Sequence, residues 1–390
     1  MIPADLSRAV VRAVRRAVEA GELDGPAPGR VVVERTRPGG VGEYASPVAL
    51  RMGRGAEGAR VLAKALALEP GVATVDVTGP GFLNFTLAPL SATELLRDLS
   101  ERPERYGCGP ALGEAVRGGR EQVVRGAVAR IREGQGFPRE EGEAKVAPVA
   151  RRDGDVFARY GAAAAVWAMV VVPGRETPVF GDGLLAQTEE NEGFRVRYAH
   201  ARARALARNA RDLGFHAEPG DIAAPGDVAG PGDPAAPGVA DAPSVAGEPS
   251  AVAAPGIAAE PSDVAASGMA AAPSVAASGN AAASGDAAGP SGGAAALRDP
   301  AAPAAAVLLR ALADHPLALE AAAYHRAPER LARHLVGVAD ALLDFQYQVL
   351  PLGDEKPSAA HRARLALAEA AGAVLAGGLA LLGIDAPDSL

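Results

Sequence analysis

The chain of 390 residues has few cysteines, which form disulfide bonds, and few aromatic residues, which fill a hydrophobic core. It has one cysteine, Cys108, which excludes an intramolecular disulfide framework and is typical of a reducing cytoplasm. Aromatic residues make up only 4%, so much of the 48% apolar content is alanine, which buries little area. The apolar run 162–172 is too short to span a membrane, and no secretory signal pattern is visible. We therefore expect a cytoplasmic protein with no membrane contact.

Histidine is also scarce, and none precedes His200. The later histidines show no metal-ligand spacing with Cys108, and no nucleophile–base pair stands out. We therefore expect no catalytic residue, no metal site and no cofactor. The formal net charge of −8 argues against a general DNA coat, although local basic patches remain compatible with it.

Hydrophobic periodicity predicts an α+β protein in two folded parts. Residues 1 to about 106 fit a small α/β domain with an antiparallel sheet, its elements predicted as a helix at 4–20, a strand at 30–35, helices at 46–52 and 58–68, and a hairpin of strands 72–77 and 82–87. Apolar residues at helical spacing with short connections predict an all-α helical bundle, its later helices at 305–314, 316–324, 328–349 and 359–382.

Two stretches do not fit either part. Residues 217–304 consist mostly of Ala, Pro, Gly and Ser without one aromatic, a composition that predicts a long disordered insert. Residues 107–154 are polar and glycine-rich, with one helix predicted at 119–133. Gly53, Gly55 and Gly58 match the dinucleotide fingerprint in spacing only, because they lie between helical segments instead of following a strand.

The most informative stretch is residues 194–215, FRVRYAHARARALARNARDLGF. It lacks proline and is rich in Ala, Leu and Arg, which predicts a helix. Small apolar residues fall on one side and arginines form a second stripe. Tyr198 and Arg202 are four residues apart, so they are neighbours on the helix surface. Taken alone, the arginine stripe favours a solvated face of a bundle helix over a nucleic-acid contact.

Three motifs, in the same order along the chain, resemble those of arginyl-tRNA synthetases. GEYASPVALRM at 42–52 with PGVATVDVTGPGFLNFTL at 70–87 resembles the N-terminal additional domain. QTEENEGFRVRYAHAR at 187–202 is similar to the motif that opens the helical anticodon-binding domain of the DALR type, and residues 363–387 resemble its last helix. The resemblance implies an N-terminal domain at 1–106 and an anticodon-binding bundle at 155–216 and 305–390.

The catalytic domain of that family has no counterpart between these parts. Class I synthetases place a nucleotide-binding domain there, with a histidine-containing HIGH-type motif. Only the 48 residues 107–154 are available, whereas one βαβ unit takes roughly 30 residues and a nucleotide-binding sheet needs several such units. The resemblance implies the name arginine–tRNA ligase, but the residues predict a short remnant or linker and no catalysis by the isolated chain.

The resemblance implies tRNA as the partner, tRNA-Arg foremost, with contacts at the elbow and at the anticodon arm. Exposed aromatic rings can stack on unpaired bases, while amide and guanidinium groups can read base edges. The tRNA-binding residues implied are Thr78, Phe82 and Asn84 on the hairpin, Tyr198 and Arg202 on the helix, and Phe345 or Tyr347 near the end of the third bundle helix. Phe82 fits the core side of the hairpin equally well. The C-terminal PDSL replaces the family's PERM, so we expect altered anticodon reading.

Three functions remain open on the sequence. The first is a non-catalytic, arginyl-tRNA synthetase-like protein that binds tRNA. The second is an interaction scaffold, with a synthetase or another tRNA-dependent enzyme as partner and a vestigial tRNA surface. The third is a subunit of a split arginine–tRNA ligase.

Overall fold

The computed structural model describes residues 1–37, 39–52, 54–108, 118–138, 145–222 and 301–390, with side-chain detail from residue 303 onwards in the last range. These residues lie in one unit, Met1–Val228 with Arg298–Leu390, and the second unit, Ala229–Leu297, lies outside the described residues. The disorder predicted for 217–304 also falls almost entirely outside them.

The described chain is α+β, as predicted. Its strands are β1 (Glu34–Arg35), β2 (Tyr44–Ser46), β3 (Val72–Thr78) and β4 (Phe82–Leu87). Its α-helices are α1 (Pro3–Glu19), α2 (Val48–Arg51), α3 (Gly55–Leu66), α4 (Ala92–Glu101), α5 (Arg120–Gly134), α6 (Val156–Val170), α7 (Glu192–Asp212), α8 (Ala301–His325), α9 (Pro328–Phe345) and α10 (Ala359–Leu382). Short 3-10 turns lie at Pro103–Tyr106, Arg151–Asp153, Asp182–Leu185 and Gln346–Gln348.

The N-terminal part is a four-stranded antiparallel sheet in the order β1-β2-β4-β3, packed against α1, α2 and α3. The predicted hairpin is confirmed, with Thr78 opposite Phe82 at its closed end. Successive residues of β4 face opposite sides, so Leu83 and Phe85 are fully buried. The predicted strand 30–35 pairs only at Glu34–Arg35, and residue 46 belongs to β2 and not to a helix.

Close packing accounts for Gly55 and Gly58, two of the three glycines whose spacing imitates a dinucleotide site, while Gly53 lies outside the described residues. The β3–β4 turn lies against the start of α3, and a Cβ on Gly81 would be 2.7 Å from the carbonyl of Gly55. A Cβ on Gly58 would be 2.9 Å from Leu23 Cδ2. Gly55 and Gly81 therefore let the turn approach α3, and Gly58 lets α3 approach the loop after α1.

Helices α5 to α10 form the second part, around the buried helix α10. The bounds predicted for α10 are confirmed. The break predicted at residue 315 is wrong, since α8 runs unbroken through Pro316. Proline removes one intrahelical hydrogen bond, but Leu312 and Leu319 on either side are buried in the core and hold the helix together. By length and composition α10 passes as a membrane span, and 72% of its most apolar window is buried inside the protein, as in a soluble core helix.

The segment 107–154 contributes a core element. Helix α5 packs against α6, α8 and α10, and Arg130 donates from Nε to the carbonyl of Leu381 at 3.0 Å. Arg120 is 2% exposed, and its guanidinium group donates to six backbone carbonyls. These belong to Met169 at 3.1 Å, Ala147 at 2.8 Å, Gly174 at 3.3 Å, Val172 at 3.2 Å, Pro173 at 3.0 Å and Glu176. Arg120 thus fixes the turn that follows α6.

The two parts meet at α8. Tyr44 donates its hydroxyl to Asp314 Oδ1 at 2.5 Å, and Arg35 pairs with Asp314 Oδ2 at 2.9 Å. Burial raises the pKa of Asp314, although Tyr44 and Arg35 oppose the shift. Leu317 completes the apolar core of the N-terminal part. The sheet and the bundle are therefore held in a fixed relation by both apolar and charged contacts.

Candidate nucleic-acid interface

Helix α7 is anchored at its first turn. The side chain of Asn191 accepts a hydrogen bond from Phe194 N at 3.2 Å and donates to the carbonyls of Leu184 and Ala186 at 3.0 and 2.8 Å. Gly193 lies against the ring of Trp167, where a Cβ would be 2.7 Å from Cγ. The helix begins at Glu192, two residues before the predicted start.

The packing face of α7 fixes which side chains point outward. His200 is 5% exposed, and its Nδ1 lies 3.0 Å from the carbonyl of Gly372 on α10. The absence of a side chain at Gly372 also admits Ala203, whose Cβ would be 2.8 Å from an added Cβ. His200 therefore packs between α7 and α10, and residues 198 and 202 lie on the opposite side of α7.

An aromatic pair and an oriented guanidinium group occupy the outer face, which we call the α7 surface (Phe194, Tyr198, Arg202, Gln346 and Tyr347). Tyr198 is 42% exposed and stacks on Phe194, with ring centroids 5.9 Å apart and planes at 17°. Arg202 donates from Nε to Gln346 Oε1 at 2.6 Å, and Gln346 donates from Nε2 to the Leu343 carbonyl at 2.8 Å. The bond through Nε holds the guanidinium plane and leaves its two terminal nitrogens for a ligand.

The two aromatic candidates near the end of α9 differ in exposure. Phe345 is 0% exposed and packs in the core, so no base can reach it, and we remove it from the candidate contacts. Tyr347 lies in the 3-10 turn after α9 and is 70% exposed. Its neighbour Gln346 carries the bond to Arg202, and we include Tyr347 in the α7 surface because it follows Gln346 in the chain.

Two arginines of the predicted solvated stripe hold the C-terminal residues. Arg204 Nε donates to Asp388 Oδ1 at 2.9 Å, and Arg208 Nη1 donates to the Asp388 carbonyl at 3.3 Å. The hydrogen bond from Arg204 lowers the pKa of Asp388. Asp388 thus gives the altered C-terminal sequence a contact on α7 that sequence analysis did not foresee.

The hairpin surface consists of Thr78, Phe82 and Asn84. Phe82 is 38% exposed, so it lies outside the core. Asn84 is only 5% exposed and donates from Nδ2 to Thr78 Oγ1 at 2.7 Å. That bond supplies the partner that a buried amide needs, so Phe82 is the accessible member of this surface, and the assignment of Asn84 as a base reader is weakened.

Sequence reasoning missed Gln346, the stacking partner Phe194 and Asp388. Phe194 is four residues before Tyr198, so helical spacing was a usable signal. The contacts of Gln346 and Asp388 with α7 span more than a hundred residues of sequence and carry no local signal. Within the described ranges, no group of three or more His, Cys, Asp or Glu side chains is arranged to hold a metal ion.

Comparisons with known proteins identify two domains in this chain. Residues 4–87 match the family model described as arginyl tRNA synthetase N terminal domain, and residues 286–390 match that described as DALR anticodon binding domain. The second match begins after α7, so the assignment of α6 and α7 to that domain stays a prediction.

Two curated relatives, each named arginine–tRNA ligase, come from Frankia alni (49% identical over 112 residues) and Micrococcus luteus (42% over 117 residues). Each alignment covers 27% of this chain, which spans about a fifth of the length of these relatives, 20% and 21%. The solved structure of Thermus thermophilus arginyl-tRNA synthetase aligns over 100% of both chains with a TM-score of 0.53 and 13% identity, a likeness of fold alone.

Proposed function

We propose that this chain, which contains an arginyl-tRNA synthetase N-terminal domain and a DALR anticodon-binding domain, is a tRNA-binding protein without aminoacylation activity. The α7 surface carries the proposal. Its stacked Phe194–Tyr198 pair can accept an unpaired base, and Arg202 is oriented by Gln346 to read that base or a phosphate. The hairpin surface, through Phe82, gives a second contact for the tRNA elbow.

The absence of catalysis is proposed from the segment between the two domains. The described residues there, 118–138 and 145–154, form helix α5, a 3-10 turn and connecting loops, and α5 is buried in the bundle. A nucleotide-binding sheet needs several strands and their crossovers. We therefore expect no arginine-dependent ATP–pyrophosphate exchange by the isolated chain. Exchange above the rate of a buffer control, inseparable from the protein on a sizing column, would contradict this part.

Loss of the Arg202 guanidinium group should weaken tRNA binding. Arg202→Ala removes the group that Gln346 orients, so we expect a loss of about 1–3 kcal/mol in binding free energy for tRNA-Arg. The measurement is a filter-binding titration at one fixed salt concentration, with an unrelated RNA of equal length for comparison. Arg333→Ala, an exposed arginine on α9 outside both surfaces, makes the same charge change and should leave affinity within twofold.

The same titration separates the alternatives. If wild-type protein binds tRNA-Arg no more tightly than the unrelated RNA, the proposal is wrong. Protein partners that stay bound after nuclease treatment would then favour the interaction scaffold.

A further inference from the structure

A cleft of about 290 Å³ opens beside the α7 surface, between α6, the start of α7 and the segment before α7. Aromatic rings of Tyr160, Trp167 and Phe194 form part of its walls, and the rest is mostly small or apolar. Arg197 is the one charged residue among the described residues that line it. Nothing in the contacts described above fills this space.

Arg197 lies in the wall of the cleft with one of its hydrogen-bond donors unsatisfied. Its Nε atom is buried and has no hydrogen-bond acceptor among the described residues. Burial lowers the pKa of Arg197, although Asp385 opposes the shift, and a guanidinium group stays charged in proteins. An unsatisfied buried donor is costly, and the terminal nitrogens of the same guanidinium group are the atoms that can donate to a ligand in the cleft.

The backbone of the cleft is also shaped by glycine. Gly161 interrupts α6 with φ 76° and ψ 165°, a conformation that is essentially restricted to glycine and clusters at functional sites. Gly161 and the three alanines after it line the cleft, so the irregularity occurs in its wall. A regular helix in a bundle has no need of such a break.

We propose that this cleft binds one unpaired RNA base whose edge presents two adjacent acceptors to Arg197, as guanine does with O6 and N7 or cytosine with O2 and N3. The inference rests on the proposed tRNA binding. The volume is at the lower end for ligand pockets, which suits a single base. RNA-binding proteins commonly place splayed-out bases among aromatic rings, and paired acceptors match the guanidinium fork.

Phe194 connects the cleft to the α7 surface. It lines the cleft and also stacks on Tyr198 at 5.9 Å, so one ring borders both places. A single strand that crosses Tyr198 therefore brings an adjacent base to the mouth of the cleft. The α7 surface and the cleft together bind two neighbouring bases. The first stacks on Tyr198, and the second pairs with Arg197.

Trp167 provides the test, because it is the sole tryptophan of the chain and lines the cleft. We titrate the protein with the 5′-monophosphates of guanosine, cytidine, adenosine and uridine and follow tryptophan emission. We expect a saturable change with guanosine or cytidine monophosphate, at least fivefold tighter than with the other two. Arg197→Met should abolish the preference, and Arg197→Lys should weaken it, since an ammonium group lacks the planar fork that matches two adjacent acceptors. Arg208→Met, on α7 outside the cleft, should keep it.

Two outcomes overturn the inference: no saturable change with any of the four nucleotides, or a preference that persists in both Arg197 variants when their circular dichroism matches wild type. Filter binding of tRNA-Arg separates this failure from failure of the proposed function. Retention of tRNA without the nucleotide response refutes the cleft and leaves tRNA binding standing. An Arg197-dependent nucleotide response without tRNA retention supports base recognition by the cleft and refutes tRNA binding.

Discussion

Arg120→Met should lower the free energy of unfolding by about 3–4 kcal/mol, because it leaves several buried carbonyl groups without a donor and each unsatisfied group costs roughly 1–3 kcal/mol. The methionine replaces most of the apolar stem, so the loss reports the hydrogen bonds more than packing. Burial lowers the pKa of Arg120, although Glu329 and Glu176 oppose the shift, so on balance the fold disfavours this charge. The measurement is urea denaturation followed by circular dichroism.

A second arginine on the same helix serves as the control. Arg125 is about half exposed and pairs with Glu121 one turn earlier. Exposed ion pairs of this kind contribute little, so Arg125→Met should change stability by less than about 0.5 kcal/mol. If the two variants unfold at the same urea concentration, Arg120 does not organise the turn after α6.

Arg120 also shows what the sequence could not reveal. Its acceptors lie 27 to 56 residues further along the chain. Helix α5 carries several arginines, and the sequence does not distinguish the buried ones from the exposed ones. Hydrophobic periodicity identifies the apolar face of a helix but does not show which charged side chain enters the core. The sequence therefore predicts a short remnant or linker with one helix for 107–154, whereas in the structure α5 is part of the bundle core.

Two predictions that depended on local pattern are confirmed. The hairpin and the bounds of α10 followed from period-2 and helical spacing, which the final packing preserved. The break expected before Pro316 was wrong because tertiary burial outweighed a local helix breaker. Local sequence patterns therefore predict helices and strands, and tertiary packing determines whether neighbouring segments join into one helix.

The residues of the candidate site likewise divide into those that local spacing predicts and those that only tertiary packing brings together. Spacing of four residues placed Tyr198 beside Arg202 without any structure. The choice between Phe345 and Tyr347 depended on where α9 gives way to a 3-10 turn, and such boundaries are set by a few hydrogen bonds that sequence does not specify. The role of Gln346 required the tertiary contact itself, across 144 residues.

From two neighbouring histidines, we expect the protein to lose stability in mild acid. His315 on α8 is 0% exposed, and its ring lies 5.1 Å from that of His334 on α9. Burial lowers the pKa of His334 from 6.5 to about 4, with Arg35 adding to the shift and the backbone of Ala311 opposing it. Burial, together with the charge of His334, lowers the pKa of His315 well below its usual value.

The sign of the effect follows from which state binds the proton. Above about pH 6.5 both histidines are neutral in the folded and unfolded states, so they do not make the free energy of unfolding depend on pH. As the pH falls below 6.5, the unfolded chain binds protons that the folded chain excludes, and each histidine costs about 1.4 kcal/mol per pH unit. For His334 this continues to its folded-state pKa of about 4, a total of about 3 kcal/mol. His315 adds to the loss in the same direction.

The expected result is a free energy of unfolding that falls steadily between pH 6.5 and 5, a range that lies above the usual titration of carboxylates. His334→Asn removes one titrating ring, so the slope in this range should fall by about 1.4 kcal/mol per pH unit. His216→Asn, an exposed histidine after α7, should keep the wild-type slope. Because His315 follows Asp314, which binds Tyr44 and Arg35, protonation acts next to the contact that joins the sheet to the bundle. A wild-type stability that does not change between pH 7 and 5, or an equal slope in His334→Asn, would show that these rings accept protons within the folded protein.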